Sequence, residues 1–301
     1  MPLTPAPAVV RACEVLHHLA GHPTESFSVS EIARELGVPR ATCDTVLMGL
    51  ADGGLVTRRA GDLRYELGLS CIALGDAARI ANPVLRAAGI EAEQLACSLV
   101  ACAAVSTRRG DASSVAEVFD YGPTFGLSAQ VGQSIPHLPP FGAVYIAWDP
   151  VDAEQWIARA GSSLDEDERL RYRRAVAEVR HRGYSVTVWS RRRPELEATL
   201  TKLTVQPNEL QAQRARDELM ARFAHSEYLA TDLDDATMRV SHMAAPIFDR
   251  QGRAVASILL LGPDYDIEPA ELRSRGVALV RAAARATEQA GGHSPTSAQH
   301  A

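Results

Sequence analysis

Arg40, Thr42, Asp44 and Thr45 stand close together in the stretch "PRATCDTVLMGLADGGLVTRR", residues 39–59. Between and after them, Cys43, Val46, Leu47 and Leu50 recur at helical spacing. That pattern gives a helix with an apolar stripe on one side and short polar side chains on its early exposed face. Such a face suits hydrogen bonding to base edges in a DNA groove. Arg40 can reach a phosphate or a guanine. Thr42 and Thr45 can bond phosphates or touch a thymine methyl, and Asp44 can accept from a cytosine amino group. Further on, Arg58 and Arg59 open the turn "RRAGD" and Arg64 follows it, and all three are candidates for the DNA backbone or the minor groove.

These residues need elements to hold them. A first helix carries Val9, Val10, Cys13, Leu16 and Leu19 on one face, and Gly21 and Pro23 stop it. A second opens at "SVSE", where Ser28 can cap the helix while Glu31 reaches back, a capping box. Ser28, at that helix start, is also a DNA-contact candidate. The second helix buries Ile32, Ala33 and Leu36 and ends at Gly37. The third opens at Pro39, a residue favoured at the first helical position. The tight "LGV" turn between the two has the spacing of a helix-turn-helix. Leu55–Thr57 and Leu63–Leu67 then read as the strands of a β-hairpin wing. The competing reading is a helical hairpin that binds protein. Local charge favours it slightly, because residues 8–80 hold more carboxylates than arginines.

Composition sets the frame. The chain has 301 residues, 46% hydrophobic and 23% charged, enough for one large or two ordinary globular domains. A net charge of −6 means that any DNA contact must come from a local patch. Cys13, Cys43, Cys71, Cys97 and Cys102 are scattered with no metal-ligand spacing, so no metal or cofactor is expected and the compartment reads as reducing. "MPLTPAPAVV" lacks the features of a signal peptide, and the nearly apolar run 95–105 is too short to span a bilayer. A cytoplasmic protein without a membrane partner is the expectation.

Residues 68–82 read as a linking helix, with Pro83 at a boundary. After it the patterns predict a helix over 83–96, strands near 99–107, 114–121 and 124–131, and helices near 141–148, 151–160 and 166–182. The strand "YSVTVWS", a polar helix near 207–225, a hairpin "RVSHMAAPIFD"/"RAVASILLLG" and a closing helix near 268–288 follow. This is an α+β arrangement, an antiparallel sheet flanked by helices. Residues 291–301 read as a disordered tail.

The run "SVSEIARELGVPRATCDTVLMGLADGGLVTRRAGDLRYELG" resembles the winged helix of the IclR family of bacterial transcription regulators. "VGQSIPHLPPFGAVYIAW", "VRHRGYSV" and "HMAAPIFDRQGRAVASILLLGP" resemble, in order, segments of that family's second domain. The resemblance covers about residues 8–288. It departs where the family usually has an arginine in "T-x-x-R-L-L": here the chain has Thr45, preceded by Asp44. An acid at that point repels phosphate, so a different operator or a greater reliance on the wing is expected.

The resemblance implies a winged helix-turn-helix over 8–67, a linker helix over 68–82 and a GAF-like effector-binding domain over 83–290. It implies a homodimer or tetramer on an inverted-repeat operator, acting as a repressor of a catabolic operon and sensing a small organic acid. Pocket positions carried over fall on Gly142, Ala143, Asp232, His242, Leu259 and Leu261. Leucines at the last two positions, where some relatives carry serine, favour an effector with an apolar body over a two-carbon acid. Protonation of His242 beside Asp232 would strengthen binding as pH falls through the histidine range. Each position has a structural reading too. Gly142 can relieve a turn after Pro139-Pro140, Asp232 lies in the acidic "TDLDD", Leu259 and Leu261 alternate on a strand, and His242 can be a structural histidine.

An enzyme is the alternative, a GAF-like redox or ligand-binding enzyme with a helical-hairpin interaction module. Cys97 or Cys102 would be its thiol. The chain lacks a G-x-x-x-x-G-K-[ST], H-E-x-x-H or G-x-S-x-G sequence, and the expectation is that it is not an enzyme.

Overall fold

Apolar spacing near the N-terminus folds as its period demands. In the computed structural model, α1 (Pro7–Ala20), α2 (Val29–Glu35) and α3 (Arg40–Asp52) are followed by β1 (Val56–Arg58), β2 (Tyr65–Leu67) and α4 (Ser70–Ala81). The structure describes residues 6–122, 129–161, 164–188, 229–234 and 237–295. It divides into two units, Met1–Ala81 and Asn82–Ala301.

In the first unit, Val15 and Leu19 of α1, Ile32 and Ala33 of α2, and Cys43, Leu47 and Leu50 of α3 meet Phe27, Val56 and Tyr65 in one core. Ile32 and Leu47 are fully buried. Each such side chain contributes about 1.5–3 kcal/mol relative to exposure. Ser28 and Glu31 form the expected capping box at the start of α2. Pro39 stands at the N-cap of α3, one residue before the expected first helical position. The first wing strand is shifted by one residue from the expected Leu55–Thr57, and the second is shorter than the expected Leu63–Leu67. Leu63 turns out of the strand with a left-handed φ of 57°, so β2 starts only at Tyr65. Phe27 joins the wing as a third short segment, exchanging backbone hydrogen bonds of 2.9 and 2.7 Å with Tyr65. No residue of α4 is buried.

The second unit runs α5 (Pro83–Leu99), β3 (Cys102–Arg109), β4 (Ala112–Asp120), β5 (Ser134–Pro136), α6 (Ala143–Ile146), α7 (Pro150–Ala158), α8 (Glu166–Arg182), β6 (Ser185–Val188), β7 (Val240–Phe248), β8 (Ala254–Leu261) and α9 (Pro269–Gln289). Its described strands form a six-stranded antiparallel sheet in the order β5-β4-β3-β8-β7-β6. Alternation along β8 divides the core into two layers. Ile258 and Leu260 pack with α5 and α9, whereas Leu259 packs on the other side with α6, α7 and α8.

The strand expected over 124–131 is not found where it is described. Residues 123–128 lie outside the described residues, and 129–131 form no strand. The outer strand is β5, three residues paired with β4. Its Pro136 obscures it in the sequence, because proline cannot donate to a ladder and is tolerated only at such an edge. The helix expected near 207–225 and residues 296–301 of the tail lie outside the described residues. In the described part of the tail, the Gly292 N–H donates to the Thr287 carbonyl at 2.8 Å.

Candidate functional site

In α3, burial of Cys43, Leu47 and Leu50 fixes which residues face solvent. Arg40, Asp44 and Thr45 are exposed together with Met48, and Thr42 is half-buried. The Thr45 hydroxyl donates to the Ala41 carbonyl one turn back at 2.9 Å. That leaves its lone pairs as acceptors. The outer face of α3 thus offers a cationic donor at its first turn, then two oxygen acceptors, then an apolar methionine. Bases carrying exposed amino groups complement the acceptors, and guanine complements the arginine.

The wing arginines differ from one another. Arg58 is exposed, with its guanidinium 5.8 Å from the centre of the Tyr65 ring. Arg59 reaches the Ser26 hydroxyl at 3.3 Å and Asp62 at 3.8 Å. Arg64 is half-buried and bonds the Ser26 carbonyl through Nε at 2.8 Å and Nη2 at 2.6 Å. Its Nη2 also lies 2.8 Å from Glu31 Oε2. Ser28 is held by its cap, accepting from the Glu31 N–H at 3.3 Å. The Glu31 carboxyl sits below its usual range, first because of hydrogen bonds to the Ser28 backbone and hydroxyl and then because of Arg64.

In the second unit, register brings three of the carried-over positions together. His242 pairs with Leu261 across β7 and β8, and Leu259 lies next along the same face, opposite Ala244. Ala143, the first residue of α6, packs in the same apolar layer as Leu259. His242 Nε2 meets the Thr187 hydroxyl at 3.4 Å and Nδ1 meets the Ser241 hydroxyl at 3.3 Å. His242 keeps part of its surface accessible, yet protein surrounds the ring closely enough that burial lowers its pKa to about 4. The ring is therefore neutral through the range where protonation was expected to strengthen binding. Asp232 is exposed, and its carboxylate accepts the Asp234 N–H at 2.9 Å.

Gly142 makes a close approach to a protein neighbour. It precedes α6 at φ 82°, and a Cβ there would lie 2.6 Å from Cδ2 of His137. The room that glycine leaves is filled by an imidazole. His137 is fully buried, stacks on the Tyr145 ring at 4.8 Å, and has no hydrogen-bond partner at either ring nitrogen among the described residues. Burial, reinforced by Arg108 and Arg159, lowers its pKa to about 4. The Tyr145 hydroxyl lies 2.6 Å from Ser106 Oγ and 3.2 Å from Ser257 Oγ, and the two serines are 2.8 Å apart. Burial pushes the phenol up to about 12. Sequence reasoning missed this group, although "IPHLPPFGAVY" holds both a histidine and a tyrosine around Gly142.

The two candidate thiols differ in environment. Cys102 is buried, and desolvation, followed by Asp120, pushes it up to about 11. Cys97 is exposed. Among the described residues no group of three or more His, Cys, Asp or Glu side chains has metal-binding geometry. No described helix is long and apolar enough to cross a membrane.

Comparison with known proteins agrees with this fold. Residues 8–60 match the family model of the IclR helix-turn-helix domain. Among curated proteins no sequence matches the chain. Solved structures are similar over nearly its whole length. An IclR transcriptional regulator from Alicyclobacillus acidocaldarius is 24% identical, with 96% of this chain and 100% of that one covered at a TM-score of 0.70. HmgR from Pseudomonas aeruginosa is 20% identical, with coverage of 94% and 99% and a TM-score of 0.62. An IclR homologue from Microbacterium hydrocarbonoxydans, solved in complex with 4-hydroxybenzoate, is 16% identical, with coverage of 94% and 99% and a TM-score of 0.61.

The architecture is thus a winged helix-turn-helix and, after it in the chain, an α+β domain. The chain carries the IclR helix-turn-helix domain within the fold of the IclR regulators, as the sequence resemblance implied.

Proposed function

We propose that this protein is a ligand-responsive transcription regulator of the cytoplasm and not an enzyme, binding an imperfect inverted repeat in double-stranded DNA as a homodimer. The observation that carries the reading is the division of α3, with Cys43, Leu47 and Leu50 in the core and Arg40, Asp44 and Thr45 facing solvent. A two-fold protein dimer matches two half-sites of opposite orientation. Selection of duplex from a random library at low salt tests it. Recovery of a palindromic consensus is expected, and failure to retain any duplex would overturn the reading.

The second unit is proposed to sense a small organic acid with an apolar body, and the whole to act as a repressor of a catabolic operon. Leu259, Leu261 and the neutral His242 supply a mainly apolar face with one hydrogen-bonding ring. An oxygen left without a donor against those leucines costs about 1–3 kcal/mol. The homologue solved with 4-hydroxybenzoate adds support for a hydroxylated aromatic acid. Calorimetry of the full chain with 4-hydroxybenzoate and with glyoxylate discriminates. Tighter binding of the aromatic acid is expected, and tight glyoxylate binding unaffected by His242→Ala would overturn the assignment.

A further inference from the structure

We infer that Arg64 is a positioning residue that fastens the wing to the start of α2, and that it makes no DNA contact of its own. The inference rests on the DNA-binding reading above and concerns how the wing is held there. β1 and β2 pair over only three positions, Val56 with Leu67, Thr57 with Glu66 and Arg58 with Tyr65. A two-stranded ribbon of that size is marginal by itself, so its placement depends on what it is fastened to. The structure fastens it at the segment 26–31. Phe27 and Tyr65 exchange two backbone hydrogen bonds, and the next residue on the wing side, Arg64, closes over the same segment. Its guanidinium takes the Ser26 carbonyl through two nitrogens and the Glu31 carboxylate at 2.8 Å.

Glu31 is itself committed to the capping box, accepting the Ser28 N–H at 2.7 Å. The cap of α2 and the base of the wing therefore share one carboxylate. The wing turn is tied in as well, since the Arg59 N–H donates to the Arg64 carbonyl at 2.8 Å while the Arg59 side chain reaches the Ser26 hydroxyl. A guanidinium held by a carbonyl and a carboxylate would have to abandon charge-assisted bonds before it could meet a phosphate. Arg58, exposed on β1 with its guanidinium 5.8 Å from the centre of the Tyr65 ring, has no carboxylate or carbonyl holding it among the described residues, and Arg64 sets where it is presented.

The two roles predict opposite signs at Glu31. If Arg64 met phosphate, Glu31→Gln would free it and remove an anion from the interface, and binding would tighten. If Arg64 is a fastening, Glu31→Gln weakens binding. The experiment measures the affinity of the full-length protein for the duplex recovered from random-library selection, over a series of salt concentrations. Wild type is compared with Arg64→Ala, Arg64→Lys, Glu31→Gln, the Glu31→Gln/Arg64→Ala double variant and Arg58→Ala.

Arg64→Ala is expected to weaken binding by about tenfold, the effect of losing one charge-assisted interaction, with no change in salt slope. Lysine, which keeps the charge but not the two-nitrogen fork, should rescue little. The double variant should be no weaker than the worse single one, because both break the same connection. Arg58→Ala should reduce the slope by about one contact. Thermal melting of each variant confirms that folding is retained. A slope reduced by about one in Arg64→Ala, rescue by lysine, or tighter binding by Glu31→Gln would overturn the inference. Should wild type bind no duplex, the DNA-binding reading fails, and hydrogen exchange decides the fastening alone: faster exchange of the Thr57–Leu67 amides in Arg64→Ala supports it and unchanged exchange overturns it.

Discussion

The ring of His137 occupies the space that Gly142 leaves open, so close that a Cβ on Gly142 would sit 2.6 Å from Cδ2 and 3.0 Å from the His137 Cα. The glycine also has φ 82°, which only glycine adopts without strain. Gly142→Ala is therefore expected to destabilise the protein by about 1–3 kcal/mol, from the strained backbone together with displacement of a buried ring. Denaturant unfolding of the full-length protein checks this. A variant as stable as wild type would mean that the approach of His137 to Gly142 is looser than described.

Arg40 and Asp44 are predicted to govern sequence preference. Arg40→Ala should cost about 1–3 kcal/mol of affinity if the guanidinium reads a guanine. The loss should concentrate at one base position of the selected consensus. Asp44→Asn should relax preference at a position read through a base amino group while improving binding to non-specific duplex, because it removes an anion near phosphate. Repeating the library selection with each variant reads both effects. An unchanged consensus in both would mean that neither side chain reads a base.

Acid is predicted to weaken the fold through His137 and His242. His137 and His242 both have folded pKa values lowered to about 4 from the ordinary 6.5. Between those values the unfolded chain takes up protons that the folded chain refuses, so stability is fully present above about pH 6.5 and falls as pH drops towards 4. Unfolding midpoints measured from pH 7.5 to 4.5 should decline, and His137→Gln should lessen the decline. Effector binding, by contrast, should be level between pH 6 and 8 as far as His242 is concerned, since its ring stays neutral there.

Thiol labelling should separate the cysteines by environment. Cys97 is exposed and Cys102 is buried with its pKa pushed up to about 11. Under native conditions near neutral pH, Cys97 should react readily and Cys102 only on unfolding. Rapid modification of Cys102 in the native protein would revive the redox-enzyme alternative.

Local signals made much of this architecture legible from the sequence. The Ser28–Glu31 cap, the Cys43/Leu47/Leu50 spacing and the hairpin over Val240–Phe248 and Ala254–Leu261 each depend on residues a few positions apart, where propensity and period act directly. The edge strand Ser134–Pro136 escaped because it is short and ends in proline, so alternation had little chain to show itself in. What the tertiary structure alone decided is which distant side chains meet. Ser106 and Ser257 are 151 positions apart, yet both reach the Tyr145 hydroxyl because β3 pairs with β8 in one register and α6 lies over that face. Arg64, which reads as a DNA-facing cation beside Arg58 and Arg59, lies against Ser26 and Glu31. His242 has an ordinary titration range in sequence and a neutral ring in the fold. Residue type states what a group can donate, accept or titrate. Strand register and burial choose its partner and its solvent, and those are set by contacts that leave no local mark in the chain.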